Sequence, residues 1–165
     1  MRTVFAALLG LMLLHSSLGA IPRSDLSAAV DLPAPTCPSG WQRFKNQCFK
    51  DPGQGAKSLT AAIKICDDLG GHVLSVPDLE TYVFLYSSIF KSKQYWLGAE
   101  RRNYIWAWLD STPWRFTYWA RGQPKQTSNY NCAWISTGPA KTWFNFLCKV
   151  PIDINIICKR PATYP

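Results

Sequence analysis

Hydrophobic residues recur every three or four positions in two segments of the chain, which predicts two amphipathic helices. In the first segment Ser58 can cap the helix, and Gly70 and Gly71 can end it. Its apolar residues at this spacing are Leu59, Ala62, Ile63, Cys66 and Leu69. In the second segment Asp78 can cap a helix that continues through Phe90. Its apolar residues at this spacing are Leu79, Val83, Tyr86 and Phe90.

The remainder of the chain is composed of short hydrophobic runs separated by Gly, Pro and polar residues, which is typical of strands and loops. A hairpin is predicted around residues 45–47. Later strand candidates are 72–76, 95–98, 105–109, 116–119, 132–136, 143–148 and 154–159. The run at 105–109 is apolar at nearly every position, which predicts burial on both faces. Helices that come first and strands that follow without regular alternation indicate an α+β fold.

The N-terminus predicts export from the cell. Arg2 precedes an apolar run at residues 4–14 that is too short to span a bilayer, and small residues follow it. Residues 1–20 are therefore predicted to be a signal peptide. Residues 21–36 contain Pro and little apolar periodicity, which predicts a flexible leader or propeptide. Residues 37–165 then form one domain of a secreted, extracellular protein without a membrane span.

The six Cys residues predict three disulfides, because a signal peptide leads to an oxidising compartment. Metal ligation is the competing use of these side chains. No CxxC pair occurs, so a Cys-based metal site is not expected. The sequence by itself leaves the pairing of the Cys residues open.

Charge is distributed unevenly along the chain. The net charge of +8 favours acidic partners, although it also fits a purely solubilising role. Residues 111–152 contain no Asp and no Glu. The same segment contains the cations Arg115, Arg121, Lys125, Lys141 and Lys149. Because Ca²⁺ takes six to eight oxygen ligands and usually several carboxylates, this segment is not equipped to hold such an ion by itself.

An enzyme is not expected. Once the signal peptide is removed, His72 is the only His in the chain, and the Cys residues are expected to be oxidised. The neighbouring Asp67 and Asp68 fall on the exposed side of the first helix, where carboxylates are solvated. No residue is therefore assigned a catalytic role, and neither a cofactor nor a nucleic-acid partner is predicted.

From Cys37 to Arg160 the chain resembles the C-type lectin-like domain family. The residues that carry the resemblance, in chain order, are Cys37-Pro38-x-Gly40-Trp41, the helix with Cys66, Tyr95-Trp96-Leu97-Gly98, Trp106-x-Trp108-x-Asp110, Tyr118-Trp119, Gly122-Gln123-Pro124, Asn131-Cys132-x-Trp134, Trp143 and Ile157-Cys158-Lys159-Arg160. The resemblance implies a C-type lectin-like fold, in which two helices flank short antiparallel strands and a long loop region. It also implies the disulfides Cys37–Cys48, Cys66–Cys158 and Cys132–Cys148.

The calcium-dependent sugar site of that family consists of a Glu-Pro-Asn or Gln-Pro-Asp triplet, a Glu just before the fourth Cys, and a Trp-Asn-Asp triplet. Here the first triplet reads Gln123-Pro124-Lys125, Tyr130 stands near the position of the Glu, and the last triplet reads Trp143-Phe144-Asn145. An ammonium group inside a cation site opposes metal binding. The calcium site is therefore predicted to be lost, whereas Pro124 is expected to keep the cis peptide bond that the family shows.

Seven residues are candidates for ligand contact without a metal. They are Gln123, Pro124, Lys125, Asn131, Asn145, Trp114 and Arg121. Trp114 is included because it lies in a turn beside Arg115, where its ring can be exposed to a sugar. A solvated loop and a core Trp are the alternatives for these residues. Arg101 and Arg102, together with Arg121 and Lys125, are either a polyanion patch or scattered surface charge.

Two functions remain compatible with the sequence. The first is a secreted lectin that recognises glycans without calcium, for which innate defence is one setting. The second is a lectin-like module that has no sugar site and binds a protein, a sulfated polyanion or a mineral surface. The expected partner is accordingly a glycan, an acidic polymer or a protein, and a homo-oligomer is compatible with either function.

Overall fold

The computed structural model describes residues 33–91, 93–136 and 138–165. The predicted signal peptide and the part of the predicted leader up to residue 32 lie outside the described residues. Within the described ranges, none of the helices has the length and apolar character that a bilayer crossing requires.

The domain contains ten strands and two helices among the described residues. In chain order they are β1 (Gln42–Phe44), β2 (Gln47–Lys50), β3 (Gly55–Ser58), α1 (Leu59–Asp68), β4 (His72–Val73), α2 (Leu79–Ser88), β5 (Tyr95–Arg102), β6 (Ile105–Trp108), β7 (Cys132–Ile135), β8 (Trp143–Phe146), β9 (Lys149–Asn155) and β10 (Cys158–Pro161). This arrangement confirms the α+β fold and the hairpin predicted before the first helix.

The strands form two sheets. The first sheet has the order β1-β2-β10-β4, and all of its pairs are antiparallel. The second sheet has the order β3-β9-β5-β7-β8, with β6 paired to β5. Its pairs are antiparallel except for β5 with β9, which meet in parallel at Tyr95 and Asn155. The last strand of the chain therefore lies inside the first sheet, between strands from the N-terminal half.

Helix α1 follows the sequence prediction closely. The Ser58 side chain accepts a hydrogen bond from the Ala61 backbone N–H, which satisfies one of the free donors at the helix start. The residues that α1 buries are Leu59, Ala62 and Cys66. Gly70 ends the helix with a φ of +69°, a left-handed conformation that glycine adopts without strain.

Helix α2 forms where it was predicted, but the face that its spacing suggested is exposed to solvent. Asp78 caps the helix by accepting from the Thr81 N–H at 2.7 Å. The residues that α2 buries are Thr81, Tyr82 and Leu85. In contrast, Leu79 is 58% exposed and Val83 is 54% exposed. Both sets of residues have helical spacing, so periodicity alone does not decide which set faces the core.

Several strand predictions need correction. The run at 105–109 is not buried on both faces, because β6 pairs only with β5 and Ile105 is 72% exposed. The predicted strand at 154–159 spans the end of β9 and the start of β10. The predicted strand at 116–119 is reduced to one bridge between Trp119 and Trp143. Strand β3 was not predicted from the sequence.

All three disulfides form with the pairing that the family resemblance implied. They are Cys37–Cys48, Cys66–Cys158 and Cys132–Cys148. The second one connects α1 to β10 across a sequence separation of 92 residues. Close to the first, Thr36 forms a β-bridge with Thr163, so backbone pairing begins one residue before the predicted domain boundary.

A buried ion pair joins the two sheets. Lys159 in β10 and Asp110, which follows β6, are both buried, and Lys159 Nζ lies 2.8 Å from Asp110 Oδ2. The Ser75 hydroxyl donates to the same carboxylate oxygen at 2.6 Å. Burial disfavours the charged form of Asp110, but the hydrogen bonds from Lys159 and Ser75 outweigh this effect and hold the pKa of Asp110 below its ordinary value.

Candidate functional site

Three of the predicted contact residues lie together, where the polar loop at residues 121–131 meets β8. The Lys125 N–H donates to Asn145 Oδ1 at 2.6 Å, and Asn145 Nδ2 donates to the Lys125 carbonyl at 2.8 Å. The Asn145 N–H donates to Gln123 Oε1 at 3.3 Å. Asn145 Nδ2 also donates to the Tyr130 carbonyl at 2.8 Å. Because Asn145 is 2% exposed, its amide holds the polar loop against β8 and is not presented to a ligand.

The remaining predicted residues of the polar loop are placed at or near its surface. The peptide bond between Gln123 and Pro124 is cis, which confirms that expectation. Pro124 is half-buried, whereas Arg121 and the Lys125 side chain are exposed. Neither Arg121 nor Lys125 forms an ion pair with another described residue.

A buried guanidinium group occupies the inner side of the polar loop. Arg101 in β5 is 4% exposed. Its Nε donates to Asn131 Oδ1 at 3.2 Å, and its Nη1 donates to the Lys125 carbonyl at 3.3 Å and to Gln126 Oε1 at 3.5 Å. Its Nη2 donates to the Thr127 carbonyl. The Arg101 guanidinium therefore donates hydrogen bonds to four neutral oxygen atoms of the polar loop.

Two aromatic rings and the backbone fix the position of Arg101. The guanidinium carbon lies 5.4 Å from the centre of the Tyr104 ring and 5.9 Å from the centre of the Trp106 ring, distances typical of cation–π contacts. The Arg101 N–H donates to the Asn131 carbonyl at 2.8 Å. Asn131, a predicted contact residue, is thus a partner of Arg101 through both its backbone and its side chain.

The interpretation of Arg101 as a surface cation is wrong. A signal for its burial was present in the sequence, because side chains alternate along a strand and Arg101 lies two residues after Ala99. Ala99 and Leu97 are fully buried, which places Arg101 on the inward side of β5. Arg102 points the other way and is exposed, paired with Glu100.

The oxygen atoms of this region do not match the ligand set of a calcium ion. Four oxygens of the polar loop already accept from Arg101, and Asn145 Oδ1 and Gln123 Oε1 accept from backbone N–H groups. Nowhere in the described ranges do three or more His, Cys, Asp or Glu side chains come together in a group that could hold a metal. Ca²⁺ normally requires six to eight oxygens, several of them carboxylates.

Trp114 lies in an aromatic cluster and not beside Asn145. Its ring centre lies 4.5 Å from that of Trp108 and 6.1 Å from those of Trp106 and Trp143. Trp114 is half-buried against the hydrophobic core, so only part of its ring can contact a ligand. Through Trp106, which contacts both Trp114 and Arg101, the cluster supports the inner side of the polar loop.

A groove of about 560 Å³ opens beside Arg101, between the β5–β6 hairpin and the polar loop. We call it the hairpin groove; it is lined by Glu100, Arg101, Arg102, Asn103, Tyr104, Ser128 and Asn131. Of these residues only Asn131 was predicted as a contact residue. Tyr104 was missed because an aromatic residue between Asn103 and Ile105 has no pattern that distinguishes it from a core residue.

Comparison with known proteins relates this architecture to one family. The family model described as the lectin C-type domain matches residues 55–160. A perlucin-like protein from Mytilus galloprovincialis is 30% identical over 129 residues, which cover 74% of this chain and 81% of that protein. A type-2 ice-structuring protein from Osmerus mordax is 29% identical over 130 residues, which cover 77% of this chain and 73% of that protein.

A solved structure shows the same fold. The cow C-type carbohydrate-recognition domain of CD23, determined in the presence of a GlcNAc2Man3 oligosaccharide, superimposes with a TM-score of 0.69 at 26% sequence identity. The match covers 78% of this chain and 98% of that chain. The relatives therefore include a protein named for ice and a domain studied with a glycan.

Proposed function

The chain belongs to the C-type lectin domain family, and from this premise we propose that it recognises carbohydrate without calcium. Family membership supports a binding protein and not an enzyme. The three disulfides are typical of proteins that fold in an oxidising compartment, which supports a secreted protein that acts outside the cell. The glycan-associated structure of CD23 supports a sugar as the ligand class.

One observation carries the calcium-independent part of the proposal: protein N–H groups already occupy the oxygens that a cation would need. The Arg101 guanidinium donates hydrogen bonds to four oxygens of the polar loop, and its positive charge would repel a divalent ion placed beside it. Asn145 and Lys125 exchange hydrogen bonds directly. The polar loop is therefore held in place by the chain itself, which is the role that a metal would otherwise fill.

The experiment is a glycan array probed with the purified protein in EDTA and, in parallel, in calcium. We expect the same glycans to be bound with the same intensity under both conditions. Binding that disappears in EDTA and returns with calcium would refute calcium independence. An array without any bound glycan would refute carbohydrate recognition altogether.

A second candidate function is supported by the exposed cations of residues 111–152. Arg115, Arg121, Lys125 and Lys149 are all exposed, and no acidic side chain of the described residues forms an ion pair with them. Such cations attract sulfated polymers, and that attraction weakens as salt is added. Binding confined to the sulfated glycans of the array, and lost at high salt, would favour this function.

Replacing Arg101 with Met should loosen the polar loop. The substitution keeps an apolar stem but removes a charged donor that serves four acceptors, and hydrogen bonds to charged groups contribute more than neutral ones. We expect the free energy of unfolding to fall by about 2 to 3 kcal/mol. We also expect faster amide hydrogen exchange in the polar loop, measured by mass spectrometry.

Arg102→Met is the matched control for this substitution. Arg102 is the next residue, but its side chain is 80% exposed and, among the residues that the structure describes, pairs only with Glu100 at the surface. Exposed ion pairs contribute little, so this variant should lose less than about 1 kcal/mol and keep the exchange pattern of the wild-type protein. Equal losses in the two variants would show that Arg101 does not organise the polar loop.

A further inference from the structure

We propose that the hairpin groove is the sugar site, that Tyr104 is its platform, and that its ligand is a neutral pyranose glycan; this inference rests on the proposed function. A sugar bound in this way would lie flat on the exposed Tyr104 ring. Its hydroxyl groups would meet the polar side chains of Asn103, Ser128 and Glu100 along the groove.

Tyr104 is exposed to solvent, and its ring packs against the Arg101 guanidinium. It is 71% exposed, and the buried Arg101 guanidinium lies 5.4 Å from its centre. The contact with Arg101 limits the freedom of the ring, so less order has to be imposed when a ligand binds. An aromatic face that is fixed and open to solvent is suited to the C–H face of a pyranose, because Tyr combines an apolar ring with a polar tip.

The backbone of the hairpin turn favours a functional role for Tyr104. Asn103 and Tyr104 both have positive φ, 49° and 65°. Turns of this kind strongly favour Asn followed by Gly, and a bulky residue in the left-handed region is unusual and carries a conformational cost. Strained residues of this type cluster at binding sites. Gly would relieve the strain, but it could not provide a ring.

The groove wall is built to receive hydroxyl groups. Each of the seven lining side chains carries a polar or charged atom, which argues against an apolar ligand. Within the described part of the chain, the side chains of Asn103 and Ser128 have no hydrogen-bond partner, so they are available to a ligand. The groove volume of about 560 Å³ falls within the range of about 300 to 1,000 Å³ that is common for small-ligand sites.

The charges in the groove favour a neutral ligand over an acidic one. Both guanidinium groups that line it already have partners: Arg101 binds four oxygens of the protein, and Arg102 binds Glu100 Oε2 through Nε at 2.9 Å and Nη2 at 2.7 Å. A carboxylate or sulfate on the sugar would meet a guanidinium whose charge Glu100 already offsets, and it would also lie close to the like-charged Glu100 carboxylate. The second oxygen of Glu100 can instead accept hydrogen bonds from sugar hydroxyls.

The test compares the wild-type protein with two groove variants, Tyr104→Gly and Ser128→Trp, and with one control variant, Tyr164→Gly. The proteins are first applied in EDTA to an array that carries neutral glycans, terminated by mannose, galactose or N-acetylglucosamine, together with sialylated and sulfated glycans. The affinity for the glycan that binds most strongly is then measured by calorimetric titration. Tyr104→Gly removes the platform and should weaken binding about tenfold or more, while its thermal midpoint stays equal to or above that of the wild type. Ser128→Trp should block the groove without removing a protein hydrogen bond. Tyr164→Gly, at an exposed position outside the groove, should bind normally.

Each outcome has a definite meaning. Neutral glycans bound by the wild type and lost in both variants would support the inference. If the wild type and both groove variants bind glycans with equal affinity, the hairpin groove is not the site, but the proposed function stands. A wild-type protein that binds only acidic glycans would refute the neutral ligand class. Absence of any glycan binding would refute the proposed function and this inference with it.

Discussion

Replacing Cys66 and Cys158 together with Ala is expected to lower the free energy of unfolding by about 4 to 5 kcal/mol. This disulfide closes the longest of the three loops, with a sequence separation of 92 residues, and a long closed loop restricts the unfolded chain most. It also ties α1 to β10, a strand that joins β2 to β4. Urea unfolding of the wild-type and variant proteins, followed by Trp fluorescence, measures the difference.

The double variant of Cys37 and Cys48 is the matched control. Its separation is only 11 residues, so the same chain-entropy relation gives a loss of about 3 kcal/mol. Both variants replace two Cys residues, so the comparison depends on which variant loses more free energy of unfolding and not on either value alone. A loss for Cys37 and Cys48 that equals or exceeds the loss for Cys66 and Cys158 would contradict the loop-length explanation.

Replacing Lys159 with Met is expected to cost about 3 to 5 kcal/mol, because it leaves the Asp110 carboxylate buried without its cation. The aliphatic part of the side chain is retained, so the loss reports the charge and not a cavity. Chemical unfolding at neutral pH measures it. A double variant with Asp110→Leu should recover most of the stability, since a buried ion pair can be replaced by apolar residues at little cost.

At acidic pH the difference in the free energy of unfolding between Lys159→Met and the wild type should become smaller. In the wild type the pKa of Asp110 is depressed, so the ion pair stabilises the fold above the ordinary aspartate pKa of about 3.9 and this contribution is lost as the pH falls through the lower folded value. In the variant, burial without a cation should raise the pKa of Asp110, and protonation then removes the penalty. A difference in stability that is independent of pH would mean that Lys159 acts through packing alone.

The two helices show how far periodicity predicts this fold. In α1 the polar residues lie on one side, so the spacing of Leu59, Ala62 and Cys66 identifies the core face correctly. In α2 hydrophobic residues occur on nearly every side, and Leu85 and Val83 are equally good candidates for burial from the sequence. The choice between them is made by tertiary packing in the hydrophobic core, where Leu85 joins residues such as Phe49 and Trp143 that are distant along the chain.

The candidate site was predictable in composition but not in arrangement. The absence of acidic residues from 111–152 correctly indicated that the oxygens there would be neutral. It did not reveal that Arg101, from outside that segment, would bind them. Tyr104 depends on a cation–π contact with Arg101, three residues away, together with a backbone conformation that sequence preferences disfavour. A residue placed against its local preference cannot be found by reasoning from that preference.

The cation inside the polar loop is part of the polypeptide. A dissociable ion leaves when its concentration falls, but the Arg101 side chain stays attached to β5 at any dilution. A guanidinium group is also not deprotonated in proteins, so acidification does not discharge it. Under the proposed function, the order of this loop would not depend on metal concentration, and a ligand held beside it would remain bound when the metal is removed.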